Sequence, residues 1–256
     1  MKVVILCGGR GTRLNEETEF KPKPLVEIGG IPILVHIMNH YSAHGFNEFV
    51  LCLGYKGYMI KNYFLNFEYM RDFELHLKGK NVRELTNFKM PDWKITFAET
   101  GLNTNTGARM KKIERYIDTD TFFLTYGDGV SDVNLNQLLA FHKKHGKVGT
   151  VTTVRPTSRF GNLTVEEDNK ITNFEKKTRL HEGWIDGGFF VFDKKIFGYV
   201  TNDEECMLEN EPLKELAKEG EFMAFKHTGF WQCMDTMREV ELLNKLWDSA
   251  KNAWKI

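Results

Sequence analysis

The residues of this chain that could do chemistry gather around a glycine run near the N-terminus and two aspartates far apart in the sequence. The glycine run is Leu6-Cys7-Gly8-Gly9-Arg10-Gly11-Thr12-Arg13-Leu14, directly behind the apolar segment Val3 to Leu6. Three glycines let backbone N–H groups approach an anion without interference from Cβ atoms. Arg13, and Lys23 within Lys21-Pro22-Lys23-Pro24, supply the counter-charge that a triphosphate needs. The pattern is a phosphate cradle. A dinucleotide fingerprint would require a third glycine where Leu14 stands and a helix beginning at once, whereas Asn15 to Glu19 and the prolines beyond read as an extended polar loop. The GxxxxGK[ST] signature is missing as well.

Asp128 lies in Tyr126-Gly127-Asp128-Gly129-Val130, immediately after the apolar run Phe122 to Tyr126. The flanking glycines open the backbone around one carboxylate, which suits a divalent ion. Mg²⁺ binds through one or two carboxylates plus phosphate oxygens and waters, so a partner carboxylate is expected. Asp235, after Trp231-Gln232-Cys233-Met234 and ahead of the last helical pattern, is the candidate. Taken alone, it is equally a good N-cap for a helix from Thr236 onward. The eight histidines show neither metal-ligand nor triad spacing, and none is assigned to catalysis.

The elements that must position these residues follow from hydrophobic periodicity. Val3 to Leu6, the helical pattern Ile33, Leu34, Ile37, Met38 and Tyr41, and Phe49 to Leu53 make a βαβ unit. Ile95 to Ala98, a helix from about Ala108 to Tyr116, Phe122 to Tyr126 and a helix from Leu135 to His145 continue the alternation. This predicts a mostly parallel, Rossmann-like α/β sheet with helices on both faces and ligands at the strand C-terminal ends. Further strands are expected at Leu163 to Val165, Ile171 to Phe174, Phe189 to Phe192 and Phe222 to Phe225, with helices near Pro212 to Lys218 and Thr236 to Trp247. The segment Phe64 to Trp93 breaks the rhythm and reads as an insertion, a surface β-ribbon or a subunit contact through Phe64, Phe67, Tyr69, Phe73 and Phe88. The chain is expected to form one domain over residues 1–256: a nucleotide-binding half, 1–150, with the insertion at about 64–93, and an acceptor half, 151–256.

With 35 acidic residues balancing 35 basic ones, no global field draws nucleic acid or an anionic membrane to the chain. Polyanion binding must be local. The cysteines Cys7, Cys52, Cys206 and Cys233 share no CxxC spacing, which fits a reducing cytoplasm. The apolar run after Met1 ends at Gly8, too short for a signal-peptide core, and no later stretch has the length to span a bilayer.

The run GGxGTRL followed by Pro22-Lys23-Pro24-Leu25-Val26-Glu27-Ile28-Gly29-Gly30-Ile31-Pro32 resembles the sugar nucleotidyltransferases, which join a nucleoside triphosphate to a sugar 1-phosphate. Tyr126-Gly127-Asp128-Gly129-Val130, Phe174-Glu175-Lys176, Gly187-Gly188-Phe189-Phe190-Val191 and Gly229 to Thr236 fall in the order and at the intervals of its cytidylyltransferase branch, so the resemblance covers essentially the whole chain. It implies a nucleotide-diphospho-sugar transferase fold with a smaller, β-rich sugar-binding half. It also implies transfer from CTP to α-D-glucose 1-phosphate, Mg²⁺ as cofactor, a homo-oligomer, and a place in surface polysaccharide synthesis.

Residue by residue, the resemblance implies that Leu6, Cys7, Gly8, Gly9, Arg10, Gly11, Thr12, Arg13, Lys23, Thr104, Arg109 and Gly127 bind the nucleotide, with Arg13, Lys23, Asp128 and Asp235 catalytic and the two aspartates holding the metal. Thr104 and Arg109 match a segment that faces the nucleotide; on its own that segment is a polar loop capping the next helix, with Thr106 an acceptable N-cap. Lys176, Asp186 and Gly187 are implied in binding the sugar phosphate. Two positions depart from the pattern. Lys177 stands where proline is usual, and Asp186 where asparagine is common, offering hydrogen-bond acceptors only when ionised. The exact sugar is therefore open, and so is the base, since the glycine run and the aspartates read phosphates: UTP, dTTP or GTP, or another phosphorylated acceptor, would suit the same chemistry.

Overall fold

In the computed structural model, seven strands form the central sheet: β1 Lys2–Leu6, β2 Glu48–Leu53, β3 Lys94–Glu99, β4 Thr121–Tyr126, β5 Gly149–Val154, β6 Ile185–Asp193 and β7 Phe222–Lys226. The structure describes residues 1–69, 73–79, 81–84, 90–155, 161–165, 167, 170–176, 183–249 and 254. Across the sheet the order is β7-β5-β6-β4-β1-β2-β3. All neighbours run parallel except those of β6, which is antiparallel to both β5 and β4. The mostly parallel α/β expectation is met.

The sheet is buried on both faces because its strands are apolar at consecutive positions. Along β1, Val3 and Ile5 pack into one core with Ile33, Ile37, Phe123 and Leu243, while Val4 and Leu6 pack into another with Met110, Phe122, Phe190 and Leu216. Successive side chains on a strand point to opposite faces, so a fully apolar strand needs helices on both sides. Ile33–Ala43 and Met237–Asp248 line the first core, and Thr106–Lys112 and Glu211–Lys218 line the second.

Three details differ from the sequence reading. Asn15 to Glu19 is not extended: a 3₁₀ turn at Thr12–Leu14 runs into a single helical turn, Asn15–Thr18. Leu14 and Thr18 are buried there, and the Thr18 hydroxyl donates to the carbonyls of Leu14 at 2.9 Å and Gly11 at 3.2 Å. So short a stretch is not helical on its own, and the turn rests on the burial of these two side chains. Second, Thr106 is the first residue of its helix and not its cap; Asn105 holds that place without a side-chain bond. The helix start is satisfied by another segment, with Ala108 N–H donating to the Cys206 carbonyl at 3.1 Å. Third, β5, β6 and β7 from the second half of the chain join the same sheet as the first half, and the hairpin Gly161–Val165 with Ile171–Lys176 stands apart from it.

Within the insertion, Phe73–His76 and Asn81–Glu84 pair as an antiparallel ribbon. Phe64 and Phe67 pack against Trp93, at ring distances of 6.4 and 6.0 Å, while Tyr69 is exposed. Phe88 and Lys177 lie outside the described residues.

Candidate active site

A cleft of about 320 Å³ opens at the C-terminal ends of β1 and β4, lined by Leu6, Cys7, Gly8, Gly9, Gly11, Thr12, Arg13, Lys23, Pro24, Thr104, Asn105, Thr106, Arg109, Tyr126, Gly127 and Asp128. The glycine run after β1 forms one wall. Gly11 adopts φ +65°, a left-handed conformation that glycine takes without Cβ strain. Gly8 is required for a different reason. A Cβ there would lie 2.1 Å from Arg109 Nη1.

Arg109 ties this wall together. Its guanidinium is buried and donates to the carbonyls of Leu53 (3.1 Å), Gly101 (2.7 Å) and Gly8 (3.0 Å) and to the Thr100 hydroxyl (2.7 Å). The ends of β1, β2 and β3 are thus clamped by one side chain that also borders the cleft. Burial lowers its pKa. Thr104 is buried beside it and shares contacts with Lys112 Nζ at 3.1 Å and Glu204 at 3.3 Å. Arg10 reaches outward to the Asn103 side chain at 2.8 Å.

Lys23 is positioned by the turn Lys23–Leu25, in which Leu25 N–H donates to the Pro22 carbonyl and Val26 N–H to that of Lys23. The ammonium lies 2.6 Å from Asp128 Oδ2 and 2.6 Å from Asp235 Oδ1. Burial alone would lower its pKa, but the two carboxylates outweigh this and hold it above the ordinary lysine value, so it is a fixed cation. Arg13 Nη1 closes the group on Asp235 Oδ2 at 2.7 Å from a largely exposed side chain.

Two aspartates 107 positions apart meet because of a small antiparallel ribbon that the sequence reading missed. Gly129–Ser131 pairs with Trp231–Cys233, placing Cys233 opposite Gly129. Met234 N–H then donates to the Asp128 carbonyl at 2.9 Å. The N-cap reading of Asp235 does not hold: Thr236 is the N-cap of Met237–Asp248, and Thr236 with Glu239 forms a capping box. Asp235 contributes only its backbone N–H to Glu239, at 2.7 Å, which leaves its carboxylate to face Lys23 and Arg13.

These carboxylates offer hard oxygen donors, and the lysine ammonium lies between them. Among the described residues no group of three or more His, Cys, Asp or Glu could hold a metal. Two carboxylates completed by phosphate oxygens and waters is the donor set that fits Mg²⁺.

Cys7 forms part of the cleft, but burial pushes its thiol up, which keeps it neutral and not nucleophilic.

On the other side of Tyr126, the start of β6 supplies Asp186 and Gly187. Asp186 accepts from the Gly188 N–H at 2.6 Å and faces the Tyr126 hydroxyl at 3.3 Å, and the Gly187 carbonyl accepts from Trp231 Nε1 at 2.7 Å. Crowding by the protein pushes the Asp186 carboxyl up to about 6, a rise that Gly188 and Tyr126 oppose and Glu209 reinforces. Asp186 is exposed, and above about pH 6 it is ionised and offers only hydrogen-bond acceptors. Lys176 ends the strand Ile171–Lys176, and its side chain lies outside the described residues. Glu209 has no motif around it, and Tyr126 reads as a strand end, so the sequence singled out neither; their pairing is visible only in three dimensions.

The profile of the nucleotidyl transferase family matches residues 2–236. The chain belongs to that family. It is 46% identical over 257 aligned residues to the glucose-1-phosphate cytidylyltransferase of Salmonella typhi, covering 100% of this chain and 99% of that protein. Identity to the probable glucose-1-phosphate cytidylyltransferase of Bacillus subtilis is 47%, with 100% of both covered. Among solved structures, HddC from Yersinia pseudotuberculosis superposes with a TM-score of 0.70 at 22% identity, covering 96% of this chain and 99% of that one. A UDP-glucose pyrophosphorylase complexed with UDP-glucose superposes at 0.67 with 16% identity, covering 96% and 97%. These two likenesses speak for the nucleotidyl transferase fold alone.

Proposed function

We propose that this nucleotidyl transferase moves a cytidylyl group from CTP to α-D-glucose 1-phosphate, releasing pyrophosphate and forming CDP-glucose. The observation that carries the reading is the identity of 46%, end to end, with a glucose-1-phosphate cytidylyltransferase. The cleft supplies chemistry to match. An oxygen of the sugar phosphate attacks the α-phosphorus of CTP, the new O–P bond forms, and the bond to the β-phosphate oxygen breaks. The attacking phosphate is already an anion near neutral pH, so no general base is needed, and among the described residues no histidine lines the cleft. The obstacle is repulsion between two polyanions, which positioning and charge neutralisation overcome.

Backbone N–H groups of Gly8 to Thr12, with Arg13 and Lys23, hold the triphosphate. Asp128 and Asp235 hold Mg²⁺, which when bound neutralises phosphate charge and polarises the α-phosphoryl group. Lys176 grips the sugar phosphate and Asp186 accepts from hexose hydroxyls. Because Arg109 is saturated by backbone carbonyls, it acts on the nucleotide mainly by fixing the shape of the Gly8 wall. No helix among the described residues is long and apolar enough to cross a membrane. A cytoplasmic homo-oligomer feeding dideoxysugar and lipopolysaccharide O-antigen synthesis completes the proposal.

Pyrophosphate release measured with four nucleoside triphosphates against a panel of sugar 1-phosphates, with Mg²⁺, tests it. CTP with glucose 1-phosphate is expected to be the productive pair; a clear preference for another base or another acceptor would overturn the substrate assignment.

A further inference from the structure

Glu209, on the loop before the helix Glu211–Lys218, bridges the two sides of the cleft. Its Oε2 accepts from the Thr106 hydroxyl at 2.6 Å, and its Oε1 accepts from the Tyr126 hydroxyl at 2.7 Å. Thr106 is itself fixed, since its oxygen accepts the Leu208 N–H at 2.9 Å. Tyr126 has one phenolic proton and two carboxylates in reach, and Glu209 at 2.7 Å is closer than Asp186 at 3.3 Å. Hydrogen bonds to carboxylates are short when strong, so the proton belongs to Glu209. We propose that Glu209 is a positioning residue for the acceptor: by taking the Tyr126 proton, it leaves Asp186 Oδ2 free to accept a hydroxyl from the hexose.

This rests on the reading of Asp186 as an acceptor-side residue. The other oxygen of Asp186 is already engaged by the Gly188 N–H, so Oδ2 is the atom left to read the sugar. Were the Tyr126 proton turned onto it, one of its two lone-pair sites would be taken inside the protein and its charge partly offset, and a hexose hydroxyl would meet a weaker acceptor.

Glu209→Gln turns the proton in just this way while hardly changing shape. The Thr106 oxygen already accepts from Leu208, so its own proton must still find an acceptor. The glutamine oxygen must therefore face Thr106 and its NH₂ must face Tyr126. A donor now points at the phenol oxygen, and Asp186 is the carboxylate left within reach of the phenol proton.

The test is steady-state kinetics with CTP and glucose 1-phosphate on the wild type, Glu209→Gln, Tyr126→Phe and the double variant. Loss of a hydrogen bond to a charged group predicts that Glu209→Gln raises the KM for glucose 1-phosphate about tenfold, with kcat and the KM for CTP within about threefold. In the Tyr126→Phe background, where no phenol proton exists, the same substitution is expected to change that KM less than about twofold. An unchanged acceptor KM in Glu209→Gln, or an equal penalty in both backgrounds, overturns the proposal, because a merely structural role would not depend on the phenol. If Glu209→Gln fails to fold, Glu209→Asp replaces it; being one methylene shorter, it cannot hold both hydroxyls, and the same dependence on Tyr126 is expected. A wild type inactive with glucose 1-phosphate but active with another acceptor overturns the substrate assignment, and the cycle is then run on that acceptor. Inactivity across the panel overturns both.

Discussion

One lysine ammonium balanced between two carboxylates defines this site at the scale of residues. Lys23 offsets the repulsion between Asp128 and Asp235, whose carboxylates each lie 2.6 Å from its ammonium. Replacing Asp235 by asparagine preserves shape and removes half of that negative charge. Asp235→Asn is expected to lower turnover by about a hundredfold or more, as removal of a preorganised electrostatic partner does, with little change in thermal stability. Near-wild-type turnover at saturating Mg²⁺ would leave Asp235 as no more than a partner for Lys23 and Arg13. Asp186 makes a separate prediction. Its carboxyl is pushed up to about 6, so it loses its charge as pH falls through that value, and affinity for the sugar phosphate is expected to fall with it. A sugar phosphate also titrates near pH 6, so the informative quantity is the ratio of acceptor KM between wild type and Asp186→Asn from pH 5 to 8. The asparagine variant should retain activity within about tenfold, a cost of roughly 1.4 kcal/mol in transition-state binding. A ratio flat across that range would show that ionised Asp186 does not read the sugar.

Among the elements, the site is assembled by two devices that differ in how legible they are. The glycine run behind β1 could be read directly, because its residue types have few uses together, and Asp128 at the end of β4 could be read from its flanking glycines. The ribbon that brings Asp235 to Asp128 could not, since Gly129–Ser131 and Trp231–Cys233 are three residues each and too short for any alternation to register. The helical turn at Asn15–Thr18 escaped for a related reason: it rests on two buried side chains, Leu14 and Thr18, too few to give a periodic signature. Arg109 was placed near the nucleotide by its position in a motif, but its clamp on the strand ends appears only when the strands are assembled. That clamp predicts that Gly8→Ala acts on the scaffold as well as on catalysis. The added methyl would meet the guanidinium at 2.1 Å and displace it from the Leu53, Gly101 and Gly8 carbonyls, at a cost on the order of 2–4 kcal/mol for breaking a buried network. Urea unfolding of Gly8→Ala checks this. Gly9→Ala is the control, since a Cβ at Gly9 meets nothing within 4 Å, and equal stability of the two variants would contradict the clamp.

For the whole molecule, the sheet is held between two apolar layers that also trap titratable groups, and this sets how the fold responds to acid. His40, on the helix Ile33–Ala43, is buried with Nε2 at 2.9 Å from the Val133 carbonyl. His142, on Leu135–His145, is buried against the Thr150 hydroxyl at 2.9 Å. Burial is the main cause that lowers each from 6.5 to about 4, with His44 and His145 respectively adding to it. The folded state therefore binds these protons less readily than the unfolded state. Their contribution to stability is intact above about pH 6.5, erodes as pH falls, and is fully lost once pH passes below about 4. At pH 5 each histidine accounts for a loss of up to about 2 kcal/mol relative to pH 7, from 1.4 kcal/mol per unit over roughly 1.5 units. Asp186 works in the opposite direction, since a raised carboxyl favours the folded state on protonation, but its exposure keeps that offset smaller. Unfolding free energies measured in urea at pH 7 and pH 5 should differ by several kcal/mol, and His142→Gln should narrow the gap by up to about 2 kcal/mol. A gap of the same size in wild type and His142→Gln would remove buried His142 from the account of acid sensitivity.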